Sequence, residues 1–332
     1  MAKVTVLGAG GWGIALALTA FKTGNEVSVW VPEHLGYAEL KETRTNEKLL
    51  KGIYLPQEID ITCDINSCAD SDIVIIAVPS TAVADVSSQL KKVKGNFVIA
   101  NAAKGFEGDT LLRLSEVISS NLPDKKIVAL TGPSHAEEVS RDRPTSIVAA
   151  CDDLAAAEIV QKARTNDDMR VYTNPDIIGA ELGGALKNVI AICVGFCNGL
   201  KLGDNTRAAL ITRGLAEMSR LGTKMGADEH TFAGLTGIGD LVVTCMSEHS
   251  RNNRFGTLVG AGVEVETALN TVGTVEGYYA ASAAHRLAEK YGVEMPIITE
   301  CYKVLYEGIN PLDSVKRLMA RPISAERKGC PH

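Results

Sequence analysis

Four short stretches of this 332-residue chain place chemistry-bearing side chains where a reaction could use them. Lys104 sits between the apolar run 97–101 and Gly105, in Ala103-Lys104-Gly105. A cation there either points into a crevice at a strand end or lies on a surface loop. Lys187-Asn188 is the polar interruption of LGGALKNVIAICVGFCNGL at 182–200, a segment apolar almost all round that reads as a buried helix. At helical spacing Lys187 shares its face with Gly183, Gly184, Ala191 and Val194, and these mostly small residues leave room for a ligand. A buried ammonium must be paired, neutralised or set in a polar cleft, unless it stretches its head to water. In GLTGIGDLVVTC, Asp240 and Thr244 stand one helical turn apart behind a Gly-Ile-Gly approach. Ser250-Arg251-Asn252-Asn253-Arg254 then concentrates forked donors and amides, suited to a phosphate or carboxylate or else forming a solvated loop.

At the other end of the chain, GAGGWG at 8–13 follows the strand-like Lys3-Val-Thr-Val-Leu. The uncharged run Val4 to Phe21 behind Lys3 also has the outline of a secretion signal. Its glycines argue against that reading, as does the Gly24-Asn25 turn into a second strand, Glu26-Val-Ser-Val-Trp-Val. Strand, glycine loop, helix 12–22, turn and strand make a dinucleotide cradle. Gly8 permits the tight turn, Gly10 lets backbone approach a pyrophosphate, and Gly13 lets helix pack on strand. Glu33, just past the second strand, is placed to accept from ribose hydroxyls and to repel a 2′-phosphate, which favours NAD over NADP. A solvated loop glutamate is the other reading, and Lys41 and Arg44 are close enough in sequence to reverse the preference.

The elements that must hold these groups can be read from periodicity. Strands are expected at 3–7, 26–31, 72–78, 97–101, 127–131 and 145–150, several of them continuous Val/Ile runs of the kind buried in parallel sheets. Segments 81–92 and 109–121 suit crossover helices, giving a doubly wound α/β unit. Beyond about residue 175 only helices are expected: 177–201, 205–224, 228–234, 253–260, 264–270, 275–291, 295–306 and 311–320. Asn174-Pro175-Asp176 marks the boundary between domains 1–176 and 177–332, with Asp176 capping the next helix. At roughly 150 residues per domain, 332 residues that are 45% hydrophobic support two cores. A net charge of −6 gives no electrostatic reason for nucleic acid or anionic membrane as partner, and no membrane span is expected. Eight cysteines, none in a Cys-x-x-Cys pair, read as free thiols in a reducing, cytoplasmic compartment, with no metal site. The polar end Lys328-Gly-Cys-Pro-His332 reads as a frayed tail.

The motifs taken together resemble the bacterial NAD(P)-dependent glycerol-3-phosphate dehydrogenase family along nearly the whole chain. The stretches that carry the resemblance are GAGGWGIALA, YLP, AVPS, AAKGFE, TGPSHAEEV, ELGGALKNVIAI, GDNTRAALITRGLAEM, LTGIGDLVVTC, SRNNRFG and VEGYYAA, in that order. The resemblance implies an N-terminal Rossmann domain with a mostly parallel sheet, an all-helical C-terminal domain, an active site between them and a homodimer. It implies interconversion of dihydroxyacetone phosphate and sn-glycerol 3-phosphate, supplying glycerophospholipid synthesis. Residue by residue, Lys187 matches the proton-transferring lysine, and Lys104 the lysine that contacts both substrate and cofactor. Asn188, Asp240 and Thr244 complete the catalytic group. Gly132 and Ser134 match substrate-binding positions. Ser250, Arg251 and Asn252 match the phosphate cluster, with Arg251 also near the cofactor. Gly11, Trp12, Ala136, Thr274 and Glu276 match cofactor-binding positions. The family often has serine where Gly11 stands, and basic or histidine residues where this chain has Pro32-Glu33.

The implied scheme needs no metal. Two ammonium groups near one site disfavour each other's charge, whereas Asp240 and a substrate phosphate favour it, and sequence does not rank these terms. Rival readings are another two-domain reductase of the ketopantoate or hydroxyacid type, and a dinucleotide-sensing regulator without turnover.

Overall fold

The computed structural model describes residues 1–323, so the expected tail at 328–332 lies outside the described residues. Eight strands form one sheet: β1 (Lys3–Leu7), β2 (Glu26–Trp30), β3 (Asp60–Thr62), β4 (Ile73–Ile76), β5 (Val98–Asn101), β6 (Ile127–Thr131), β7 (Thr145–Ala150) and β8 (Met169–Asn174). Their spatial order is β3-β2-β1-β4-β5-β6-β7-β8, parallel throughout except where β7 runs against β6. Strands β4 and β6 are buried along their whole length, as their apolar runs require. The two strands that periodicity does not announce are the edges. β3 is only three residues long, and β8 alternates buried and exposed positions because one face meets solvent.

Helices α1 (Gly11–Lys22), α2 (Tyr37–Thr43), α3 (Val83–Leu90), α4 (Leu114–Asn121), α5 (Ala136–Val139) and α6 (Leu154–Arg164) accompany the sheet. All later regular structure among the described residues is helical. It comprises α7 (Ile177–Gly199), α8 (Asp204–Lys224), α9 (Glu229–Phe232), α10 (Asp240–Met246), α11 (Arg251–Gly260), α12 (Val265–Val272), α13 (Glu276–Tyr291), α14 (Pro296–Tyr306) and α15 (Pro311–Met319). Asp176 caps α7, its Oδ1 accepting from the Gly179 N–H at 2.8 Å. Gly179 to Cys197 of α7 are all buried, and the second core assembles around this helix. By length and apolarity α7 could cross a membrane, at a mean hydropathy of 1.7, but 89% of that window is buried inside the protein. It is a core helix.

Two carboxylates, Glu181 buried and Glu276 half-buried, fasten the sheet half to the helical half. Glu181 of α7 accepts from Arg113 Nη1 at 2.7 Å, and from the N–H and hydroxyl of Ser115 at 2.8 and 2.5 Å. Burial pushes the Glu181 pKa upward against the opposing pull of Arg113 and Ser115. Glu276, opening α13, accepts from the Ser80 N–H at 3.1 Å and its hydroxyl at 2.5 Å, just beyond β4. Removing one member of a buried pair strands the other charge. Arg113→Ala is therefore expected to cost about 3–5 kcal/mol, read from the denaturant midpoint. A loss below about 1 kcal/mol would show that Glu181 finds other compensation.

Candidate active site

Lys104 leaves the carboxyl end of β5 through a turn tied by Asn101, whose side chain bonds both the N–H and the carbonyl of Ala103. Its stem lies across α7 at Gly184, where a Cβ would come within 3.4 Å of Lys104 Cγ. From β6 the chain turns through Gly132, at φ +117°, towards Ser134. Opposite, α7 presents Lys187. A π-helical turn at Leu235–Gly239 delivers Asp240 to the first position of α10. That turn touches α7 backbone to backbone: a Cβ on Gly183 would fall 2.3 Å from the Thr236 carbonyl oxygen. The glycine pair next to the lysine thus makes close approach possible on two sides.

The result is a carboxylate shared by two ammonium groups. Lys187 Nζ donates to Asp240 Oδ1 at 2.5 Å and to Thr244 Oγ1 at 2.6 Å. Lys104 Nζ donates to Asp240 Oδ2 at 2.7 Å and to the Gly132 carbonyl at 2.9 Å, with Ser134 Oγ at 3.5 Å. Asp240 is 1% exposed and Lys187 6%. Burial pushes the Lys187 pKa down to about 8. Asp240 opposes that fall, and the Lys104 charge adds to it. Burial works against the Asp240 anion as well, but two lysines outweigh it and hold the carboxyl below its ordinary range. The directions agree because Asp240 faces two opposite charges, whereas Lys187 faces one of each sign. Desolvation dominates at Lys187, ahead of the two neighbouring charges.

Around this cluster lies a supporting frame. Asn252 Nδ2 donates to Asn188 Oδ1 at 2.9 Å, and Asn252 Oδ1 accepts from the Gly277 N–H at 2.9 Å. Ser250 Oγ caps α11 by accepting from the Asn253 N–H at 3.2 Å. These three side chains are already engaged within the protein. Arg251, at the first position of α11, is exposed.

The glycine loop has the shape a dinucleotide needs. Gly8 lies at φ +111° and a Cβ on it would meet the Ala77 carbonyl oxygen at 2.7 Å; on Gly13 it would meet the Gly8 carbonyl oxygen at 2.0 Å. A Cβ on Gly10, by contrast, meets nothing within 4 Å. Space therefore stands open before α1, whose N-terminus has no side-chain cap. Trp12 Nε1 is buried there without a partner, Ala136 stands beside Gly11, and Leu49 O would lie 3.2 Å from a Cβ at Gly11. A pyrophosphate fits this cradle. Glu33 is exposed at the end of β2. Arg44 is turned away onto the carbonyls of Leu55, Pro56 and Ile59, while Lys41 Nζ bonds Tyr37 OH at 2.6 Å. Thr274 is exposed, and Glu276 is engaged by Ser80. Periodicity and motif missed Arg113, Glu181, Ser80 and His135, whose partners are distant in sequence. Only His135 carried a signal, an imidazole between two assigned positions.

A glycine cradle at the switch point of a parallel sheet, facing a buried lysine–aspartate pair, defines a nicotinamide-dinucleotide oxidoreductase. Comparison with known proteins gives the family. Residues 3–157 match the model for the NAD-dependent glycerol-3-phosphate dehydrogenase N-terminus, and residues 176–316 that for its C-terminus. The chain is 47% identical to glycerol-3-phosphate dehydrogenase (NAD(P)+) of Thermoanaerobacter sp. (strain X514), over 98% of this chain and 99% of that one. It is 48% identical to the Bacillus subtilis (strain 168) protein of the same name, over 97% and 95%. The crystal structure of glycerol-3-phosphate dehydrogenase from Coxiella burnetii superposes with a TM-score of 0.93 at 36% identity, covering 96% of this chain and 99% of that one. The chain belongs to the NAD-dependent glycerol-3-phosphate dehydrogenase family.

Asp240 raises the Lys187 pKa, so its removal must lower it further. In Asp240→Ala, the Lys187 side chain, followed by NMR of a ¹³C-labelled lysine, is expected to titrate below about 8. An unchanged midpoint would mean that the carboxylate does not govern this amine.

Proposed function

We propose that this protein interconverts dihydroxyacetone phosphate and sn-glycerol 3-phosphate, with Lys187 as the proton-transferring group. The observation that carries the reading is the Lys104–Asp240–Lys187 bridge, which brings both lysines to the ligand edge of the sheet. The nicotinamide cofactor supplies or accepts the hydride at C2 of the substrate. Reduction of the C2 carbonyl leaves its oxygen as an alkoxide, and the Lys187 ammonium gives it a proton. In oxidation the neutral Lys187 amine takes that proton back. Lys104 stabilises the charge developing on oxygen, and Asp240 and Thr244 hold the Lys187 amine in position. Arg251, with its planar fork, binds the substrate phosphate, and remote binding there orients C2. Asn188, Asn252 and Ser250 act by fixing the turn that presents Arg251.

The cradle residues Gly8, Gly10, Gly11, Trp12 and Gly13 hold the dinucleotide, joined by Ala136, Thr274 and Glu276. NAD is the favoured form. Glu33 disfavours a 2′-phosphate, and of the two cations that could reverse this, Arg44 is occupied by three backbone carbonyls and Lys41 bonds Tyr37. The division at 176/177 separates the cofactor half from the substrate half. The same reading makes the protein a homodimeric enzyme of the reducing cytoplasm, supplying glycerol phosphate to glycerophospholipid synthesis. Among the described residues, all seven cysteines are free thiols. The ketopantoate-type alternative has no use for an arginine on a phosphate, and a non-catalytic sensor none for a buried lysine poised near neutrality.

Dihydroxyacetone phosphate, and not free dihydroxyacetone, is expected to drive loss of NADH absorbance. Lys187→Ala should reduce kcat by about 10²–10⁴-fold while NADH binding survives. A lysine titrating at about 8 is neutral above that pH. The kcat/KM for glycerol 3-phosphate oxidation should therefore rise through about pH 8 and that for reduction fall. A flat profile for both directions would remove Lys187 from proton transfer. Arg251→Ala should raise the KM for dihydroxyacetone phosphate by roughly 10- to 100-fold, the worth of a charge-assisted hydrogen bond. Movement of the NADH KM alone would place Arg251 elsewhere.

A further inference from the structure

The glycine loop is held from outside by a strap of chain, residues 45–54 between α2 and β3, to which the proposed mechanism gives no role. The strap is tied along its length. Thr45 and Tyr54 pair as an antiparallel bridge, and Thr45 Oγ1 donates to the Ile53 carbonyl at 2.6 Å. Glu47 Oε1 accepts from the Gly52 N–H at 3.1 Å. Leu50 is buried in the core of the sheet half, and its N–H and that of Leu49 donate to the Asn46 carbonyl at 2.8 and 3.1 Å. Asn46 is therefore presented by a fixed turn. Its side-chain Oδ1 accepts from the Leu49 N–H at 3.3 Å, and its Nδ2 donates to the Ala9 carbonyl, 37 residues away in sequence, at 3.0 Å. Only this orientation of the carboxamide serves both partners, since one is a donor and the other an acceptor.

Ala9 joins the Gly8 turn to Gly10, which stands immediately before α1. Among the described residues no other donor reaches the Ala9 oxygen, and the Gly10 N–H has no acceptor. The peptide between them is planar and trans, so its C=O and N–H point in opposite directions. A carbonyl drawn to Asn46 thus leaves the Gly10 N–H facing away from the strap. Glycine restricts φ little, so without a tie this peptide turns over at small steric cost. Turned over, it would set a carbonyl oxygen where the N–H now stands, beside an uncapped helix N-terminus suited to an anion. We infer that Asn46 is a positioning residue for the dinucleotide pyrophosphate: by holding the Ala9 carbonyl it keeps the glycine loop in its anion-binding orientation. This contact rests on the reading of the cradle as a dinucleotide site and gives that site a part supplied from outside its motif.

The test measures NADH binding by fluorescence, and ADP-ribose and adenosine by competition against it, on wild type, Asn46→Ser and Asn46→Ala. Serine keeps an oxygen for the Leu49 N–H but is too short to reach Ala9. Loss of one hydrogen bond should leave the competent loop less populated, weakening NADH and ADP-ribose by about 2- to 12-fold in Asn46→Ser. Adenosine, which has no phosphate, should bind as it does to wild type, and the loss should appear in the NADH KM and not in kcat. Asn46→Ala, which gives up the turn contact as well, should bind NADH no better than the serine variant. NADH held by Asn46→Ser as tightly as by wild type would overturn the inference. So would an equal loss for adenosine, which would make Asn46 a general support of the domain. In wild type without cofactor, ¹⁵N relaxation should find the Asn46 carboxamide rigid, and a freely rotating one would overturn the inference with no variant needed. A wild type that binds no NADH would instead sink the reading of the cradle, and this contact with it.

Discussion

One carboxylate with almost no solvent contact organises this molecule. Asp240 satisfies an ammonium from each half, Lys104 from the end of β5 and Lys187 from the middle of α7. Neither lysine could stay where it is without it. A charged amine in an apolar helix is expensive, and two of them close together repel. The shared anion offsets both costs only in part at Lys187, where burial dominates and the Lys104 charge adds to it. Lys104 thus shares its neighbour's carboxylate and adds its own charge to the burial that lowers the Lys187 pKa.

That arrangement requires backbones to approach one another more closely than most side chains permit. The π-turn before Asp240 is seated against α7 where residue 183 is glycine, and Lys104 crosses α7 where residue 184 is glycine. A helix that was merely apolar would bury as well but would stand farther from its neighbours, and the carboxylate would reach one lysine at most. Packing and chemistry are therefore the same feature in this stretch of α7, which explains why its polar interruption directly follows its smallest residues.

The central strands and long helices were legible because their burial repeats at a fixed period. The glycine cradle was legible because its motif is local. Long-range pairing was not. Glu181 reads as an ordinary helix-surface glutamate until Arg113 and Ser115 are brought to it. Arg164 ends α6 in a position usual for an exposed cation, yet it is fully buried against Leu16 and Thr19 of α1. Asn188, matched to the catalytic group, and Asn252, matched to the phosphate cluster, are bonded to each other in the fold. Residue type announced that these groups were special, and only the fold decides whether each one faces a ligand or a neighbour.

The two ends of the site share a wall. Ala77, at the end of β4, backs the Gly8 turn of the cradle, and three residues later Ser80 holds Glu276 of the helical half. The Gly8 turn of the cradle is therefore backed by the same short segment that fastens α13 to the sheet. α13 begins beside Gly277, whose N–H is bound by Asn252, and Asn252 in turn is bound to Asn188 next to Lys187. An unbroken run of hydrogen bonds and main chain thus connects the edge of the glycine cradle to the turn that carries Arg251 and to the helix that carries Lys187. Displacing the Glu276 carboxylate from Ser80 would loosen that run at its start.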